Sequence, residues 1–304
     1  MMTDDEGRDV TVADQQLLAQ RFEEQRTHLR AVAYRMLGSL TEADDAVQEA
    51  WLRLSRADTD DVTNLAAWLT TVTGRICLDM LRSRTARREE PLEVRLPDPV
   101  ISYDDESDPE HEALTADAVG LALLVVLETL TPAERLAFVL HDLFGVPFTE
   151  IGPILGRTPD AAKMLASRAR RRVRSGSVEP EADPRRQREI VEAFLAAARA
   201  GDFGALVELL DPDVVLRADM GAAAPADITP LVVGASAVAG RALLFAQPGG
   251  ITEHALVNGT PGVVTRRNGT MVAVLGFTIT HGKIVAIDVL ADPERLSRLD
   301  GVAG

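Results

Sequence analysis

Apolar residues recur at helical spacing along the first 174 positions, and that spacing predicts a series of helices. From Gln15 to Leu37 they are Leu18, Phe22, Leu29, Val32, Ala33, Met36 and Leu37, and Gly38 ends the run. Thr41 is placed to cap a second helix, whose buried side is Val47, Ala50, Trp51 and Leu54. After a polar loop at 58–64, Leu65–Arg84 turns Leu65, Trp68, Leu69, Val72, Ile76 and Met80 inward. Both tryptophans read as core aromatics. Further on, Thr131 and Glu134 form a capping box with Pro132 at the first helical position. Phe148, Ile151, Ile154 and Leu155 line the next helix, which stops at Gly156. Thr158 caps a last one, with Ala161, Leu165, Ala169 and Val173 as its expected inner stripe.

The pattern changes after Ser175-Gly176-Ser177, where Pro180 and Asp183-Pro184 mark a domain boundary. A helix is predicted over Arg185–Arg199, a short one over Ala205–Leu210 and a third over Gly234–Ala246. Asp213–Arg217 reads as a strand and 221–231 as a loop. Asn258-Gly259 and Asn268-Gly269 are type I′ hairpin signals, and His281-Gly282 is a further turn. They bound strands over 262–267, 270–280 and 283–290. The expected fold is multi-domain: two all-α units, then an α+β layer with a curved antiparallel sheet.

Composition narrows the chemistry. In 304 residues there is no run of about 18 apolar positions, so no membrane span is expected. Residues 1–14 are acidic and read as a flexible N-terminus without a signal peptide. The single Cys77 fits a reducing cytoplasm, and five scattered histidines give no metal-ligand spacing. Neither a cofactor nor a metal is implied. The net charge is −15, yet positive charge gathers at 82–88 and at 157–174, which holds six Arg, one Lys and one Asp.

Two helices, a glycine turn and a basic last helix fit a helix-turn-helix DNA reader; a three-helix core with a solvated basic face fits the same residues. In the first reading Asp160, Ala162 and Lys163 meet base edges and the later arginines meet phosphates. The summed negative field repels DNA, so such a chain needs a carrier. Asp44, Asp45 and Glu49 form an acidic row, either as favourable charge near a helix N-terminus or as a docking surface for a basic partner.

Phe22-Glu23-Glu24-Gln25-Arg26, Tyr34-Arg35-Met36-Leu37-Gly38-Ser39, Glu42 to Glu49, Ala67-Trp68-Leu69 and Leu78 to Arg84 resemble region 2 of extracytoplasmic-function sigma factors. The helix-turn-helix resembles their region 4. The resemblance implies region 2 at 15–90, an acidic linker at 91–115, region 4 at 116–176, a second linker at 177–184 and a tail domain at 185–304. It implies docking on the clamp helices and flap of RNA polymerase core, double-stranded promoter DNA at −35 and single-stranded DNA at −10. Asp44, Asp45, Gln48 and Glu49 would face the clamp. Asp61, Thr63 and Asn64 would take a flipped −10 base, with Arg75, Asp79, Arg82 and Arg84 along the opened strand. Thr158, Asp160, Ala162, Lys163, Ser167, Arg168, Arg170, Arg171 and Arg174 would serve the −35 element. Asp98 and six more acidic residues up to Glu112 read as a solvated linker.

Ala193 to Ala197, Gly201-Asp202-Phe203, Leu209 to Val214 and Ile287 to Leu296 resemble a SnoaL-like domain. Sigma factors with such a tail form a sigma-J-like subfamily in which the tail regulates activity in place of an anti-sigma protein. That implies an intramolecular contact with the sigma domains, and the free chain is expected to be a monomer. Asp219 to Ala224 departs from the subfamily's glycine-rich Asp-Gly-Gly-Gly-Lys loop. The rival readings are a helix-turn-helix regulator that never enters the polymerase, and an enzyme using Asp219, His254, His281 and Asp288 as acid and base.

Overall fold

The structure, a computed structural model, describes residues 12–57, 64–87, 95–103, 120–176, 181, 183–223, 229–245 and 250–300. The first domain is α1 (Val12–Leu37), α2 (Leu40–Leu54) and α3 (Leu65–Arg87). Gly38 ends α1 in the left-handed region, and Ser39, rather than Thr41, caps α2 by accepting from the Glu42 amide. Trp51 and Trp68 are only half-buried, at the rim of a small cluster formed by Phe22, Leu29, Val47, Leu54 and Leu69.

The second domain is α4 (Leu121–Glu128), α5 (Pro132–Phe138), α6 (Phe148–Leu155) and α7 (Pro159–Gly176). The capping box at Thr131–Glu134 forms as expected, and α5 runs on into a wide turn over Val139–Leu143. The two helical domains share one core. Met36, Ile76, Leu78 and Leu81 from the first pack with Leu124, Leu127, Leu136 and Leu140 from the second. A buried guanidinium crosses the same seam: Arg135 donates to the Met36 carbonyl and to Glu128, at 3.0 and 2.9 Å.

The third domain sets α8 (Pro184–Ala200), α9 (Phe203–Leu209) and α10 (Ala235–Phe245) against one face of a curved sheet. Its strands are β1 (Ile101–Ser102), β2 (Leu210–Asp219), β3 (Leu231–Val233), β4 (Ile251–Val257), β5 (Thr260–Arg267), β6 (Thr270–Thr280) and β7 (Lys283–Leu290). Their order is β1-β4-β5-β6-β7-β2-β3; β2 runs parallel to β7 and every other pair is antiparallel. Phe194, Leu206, Val238, Phe277 and Ile287 fill the helix-covered side.

The sequence pattern missed β1, β3 and β4. β1 lies in the stretch expected to be a solvated linker, so that expectation fails for residues 95–102. Leu96 through Ile101 are buried, and Ile101 and Ser102 pair with Val257 and Leu256. Its backbone covers the Leu256–Val257 end of the edge that β4 leaves open on the side away from β5. Asp104 to Glu112, the rest of the acidic run, lie outside the described residues. The sheet's second face, which includes Ile101 of β1, is covered by Leu121 and Val125 of α4, by Leu40 of α2, and by Leu296 and Leu299 of α11 (Pro293–Asp300).

The turn between α6 and α7 has one tight point. A methyl group on Gly152 would sit 2.8 Å from the Arg157 carbonyl oxygen and 3.1 Å from the Pro159 nitrogen, both backbone atoms. Gly152→Ala is therefore expected to lower stability by about 1–3 kcal/mol through overpacking. A chemical-denaturation midpoint equal to the parent's would show that this turn is loose.

Candidate nucleic-acid interface

The geometry of α7 follows from its own periodicity. Ala162, Ala166 and Ala169 are fully buried, with Leu165 and Val173 half-buried beside them. The observed stripe is thus rotated from the expected one. Ala162 was expected at a base edge; at 0% exposure it is instead where α7 packs on its domain, and its methyl group cannot reach DNA. Thr158, Asp160, Lys163, Ser167, Arg168, Arg171 and Arg174 are exposed. The Thr158 hydroxyl oxygen accepts from the Ala161 amide, fixing the start of the helix. Arg170 is half-buried and donates to Asp142 at 2.6 Å, which ties α7 to the wide turn. Arg172 does the same for α5 by donating to the buried Glu134 at 2.9 Å.

On the first domain Arg75, Asp79 and Arg82 lie exposed along one side of α3, with Arg82 3.7 Å from Asp79. Asn64 is exposed, and its side-chain oxygen accepts from the Ala67 amide, capping α3. Asp61 and Thr63 lie outside the described residues. Arg84 departs from the expected row: it turns inward, donating to the Leu37 carbonyl at 3.2 Å and pairing with Glu42. It pins α3 to the α1–α2 turn. Asp45 and Gln48 are exposed on α2, Asp44 pairs with Arg30 at 2.7 Å, and Glu49 accepts from Arg53 at 2.9 Å.

A third constellation joins the linker, the first domain and the tail, and the sequence pattern did not show that these parts meet. Arg295, on α11, donates to Asp98 at 2.8 Å, to Asp219 at 2.6 Å and to the Leu96 carbonyl at 2.7 Å. Asp98 also accepts from the Leu40 amide at the start of α2, and Asp219 accepts from the Leu96 and Gly221 amides. Tyr34 donates to the Asp98 carbonyl at 2.6 Å and accepts from the Asn258 side chain at 2.9 Å. Burial pushes the Tyr34 hydroxyl far above its ordinary range, so it stays a donor. Asn258 binds Val100 in both directions, amide to carbonyl and amide to side-chain oxygen. The signal available in sequence was Asn258-Gly259, and it spoke only of a turn. Gly221 sits under Asp292, whose carboxyl would be 2.5 Å from any added methyl group. Asp219 thus keeps an anchoring place although the glycine-rich loop is altered.

The acid–base candidates have structural occupations. Asp219 is held by Arg295, His254 is exposed on β4, and His281 occupies the left-handed position of the β6–β7 turn. Asp288 is 2% exposed and takes two hydrogen bonds from Arg217. Burial raises its carboxyl above the usual range, with Arg217 pulling the other way. Among the described residues no His/Cys/Asp/Glu group is arranged to hold a metal, and no helix is long and apolar enough to cross a membrane. Removing Arg295 leaves two buried carboxylates facing each other. Arg295→Ala should therefore cost about 3–5 kcal/mol, read as a lower denaturation midpoint and faster proteolysis at 95–103; Arg298→Ala, on an exposed pair, is the neutral control.

Comparison with known proteins accounts for both the helical domains and the tail. Residues 22–87 match the Sigma-70 region 2 model and residues 120–173 match the Sigma-70, region 4 model. The chain is 39% identical to the ECF RNA polymerase sigma factor SigJ of Mycobacterium tuberculosis, over 91% of this chain and 92% of that one. It is 35% identical to the probable ECF RNA polymerase sigma factor SigI of the same organism, over 92% and 94%. The crystal structure of M. tuberculosis SigJ superposes with a TM-score of 0.74 at 37% identity, covering 92% of this chain and 98% of that one. A basic helix-turn-helix, a three-helix domain and a fused α+β tail, matched over 91% and 92% of the chain by such relatives, mean that the chain belongs to the extracytoplasmic-function sigma factors, non-enzymatic subunits that bring RNA polymerase to its promoters.

Proposed function

We propose that the chain works as a sigma factor with residue roles divided between its two helical domains, and that its tail holds those domains in a closed form. In this reading α7 lies in the major groove at −35. Asp160, Lys163 and Ser167 face base edges there, and Arg168, Arg171 and Arg174 face phosphates. Thr158, Arg170 and Ala162 orient the helix. Asn64, with Asp61 and Thr63 of the preceding loop, takes a flipped −10 base, and Arg75, Asp79 and Arg82 follow the opened strand. Asp44, Asp45, Gln48 and Glu49 dock on the polymerase clamp, and the second domain touches the flap. The core enzyme supplies the anchorage that a chain of net charge −15 lacks.

The observation that carries the closed form is the shared core. α3 packs directly against α5 and α6. Promoter elements at −10 and −35 lie about 25 base pairs apart, roughly 85 Å along B-DNA at 3.4 Å per pair. Two domains in side-chain contact cannot occupy both. Engagement therefore requires the Leu136–Ile76 seam to part, and the tail resists this because Asn258 and Arg295 hold Tyr34 and the linker while Leu121 and Val125 of the second domain pack on the tail's sheet.

Run-off transcription with purified core polymerase tests the assignment. The chain added alone should give promoter-specific initiation, which a helix-turn-helix repressor would not. Lys163→Glu should lower −35-dependent initiation about tenfold or more while core binding is retained; equal output would remove Lys163 from the base-reading set. The closed form is tested by dye labels at Glu24→Cys and Glu150→Cys, both exposed. Transfer between them should drop when core polymerase is added, and an unchanged distance would rule out opening.

A further inference from the structure

We infer that Met164 reads a thymine in the −35 duplex through the base's C5 methyl group. The inference rests on the placement of α7 in the major groove and adds a contact that its polar residues do not supply. At 100° per residue, Met164 falls roughly opposite the buried Ala162–Ala166–Ala169 stripe. It is 59% exposed, the one large apolar side chain on an outward face otherwise formed by Asp160, Lys163, Ser167, Arg168 and Arg171. It lies in the second turn of the helix, among the positions from which a recognition helix meets base edges. Nothing in its own domain covers it.

The chemistry of the groove selects the partner. Guanine, cytosine and adenine present only donors and acceptors on their major-groove edges, and the thymine methyl is the single apolar group displayed there. An unbranched thioether with three rotatable bonds can lie against that methyl without a fixed approach angle. Asp160 and Ser167, one turn to either side, then have hydrogen-bonding groups aimed at the neighbouring pairs.

The test uses holoenzyme assembled from the full chain and core polymerase. A randomised −35 duplex library is selected for binding. Each thymine of the selected element is then replaced singly by deoxyuridine, on either strand, which removes the methyl and nothing else. One position is expected to lose about fourfold in binding, the worth of one buried methyl group. Met164→Ala should bind the thymine and deoxyuridine duplexes equally, and Met164→Leu should keep the difference. Because the side chain is exposed, Met164→Ala should also keep the parent's melting temperature. A selected element with no thymine under the helix overturns the inference. So does a deoxyuridine effect that survives in Met164→Ala, or no such effect at any position. Each of these leaves −35 recognition standing, whereas holoenzyme that shows no −35 dependence at all removes the placement of α7 and this inference with it.

Discussion

Three parts of the chain, far apart in sequence, converge on the guanidinium of Arg295. It meets the carboxylates of Asp98 and Asp219 and the carbonyl of Leu96. Two buried acids and one part-buried base would be a poor arrangement if left incomplete, since an unpaired buried charge costs several kcal/mol. Here the remaining lone pairs are taken up by the amides of Leu40, Leu96 and Gly221. The junction is therefore satisfied only when the linker, α2 and the tail are all in place. That makes it an all-or-none fastening rather than a sum of independent contacts.

The same logic explains how a tail with an apolar interior can hold two helical domains together. Its helix-covered face is filled by aliphatic and aromatic side chains. Its other face is the working one: it receives α4, α11 and Leu40, while β1 joins the sheet at its edge. Gly276 belongs to this face, where a methyl group would press on Leu121 at 2.8 Å. Because α4 and Leu40 of α2 rest on one sheet, the spacing between the helical domains is set in part by the tail, which belongs to neither. Their shared core then closes the arrangement from the other side.

Charge is distributed to match. The outward side of α7 is basic while the chain as a whole carries −15, so long-range attraction to DNA is weak and the local field is strong. Several arginines are spent on architecture: Arg84 on Glu42, Arg135 on Glu128, Arg170 on Asp142 and Arg172 on Glu134. Those left outward on α7 are fewer and more sharply placed than the count of positive residues suggests.

Much of this was legible in one dimension. Helical spacing, the Thr131–Glu134 box, the glycine turn before Thr158 and the Asn-Gly hairpins are local rules, and local rules located the helices and the last hairpins. Residue numbers alone could not say which side of α7 is buried, because Ala161 and Ala162 are equally apolar and a rotation of one position exchanges them. Nor could they distinguish Asp98 from the acidic residues that follow it. A carboxylate becomes buried and structural only when a guanidinium nearly two hundred positions later is folded against it. What the sequence determined by itself was the set of elements and the family they belong to. What the tertiary structure decided was which polar groups face solvent and which fasten the domains together, since that depends on partners brought close by folding and not by order along the chain.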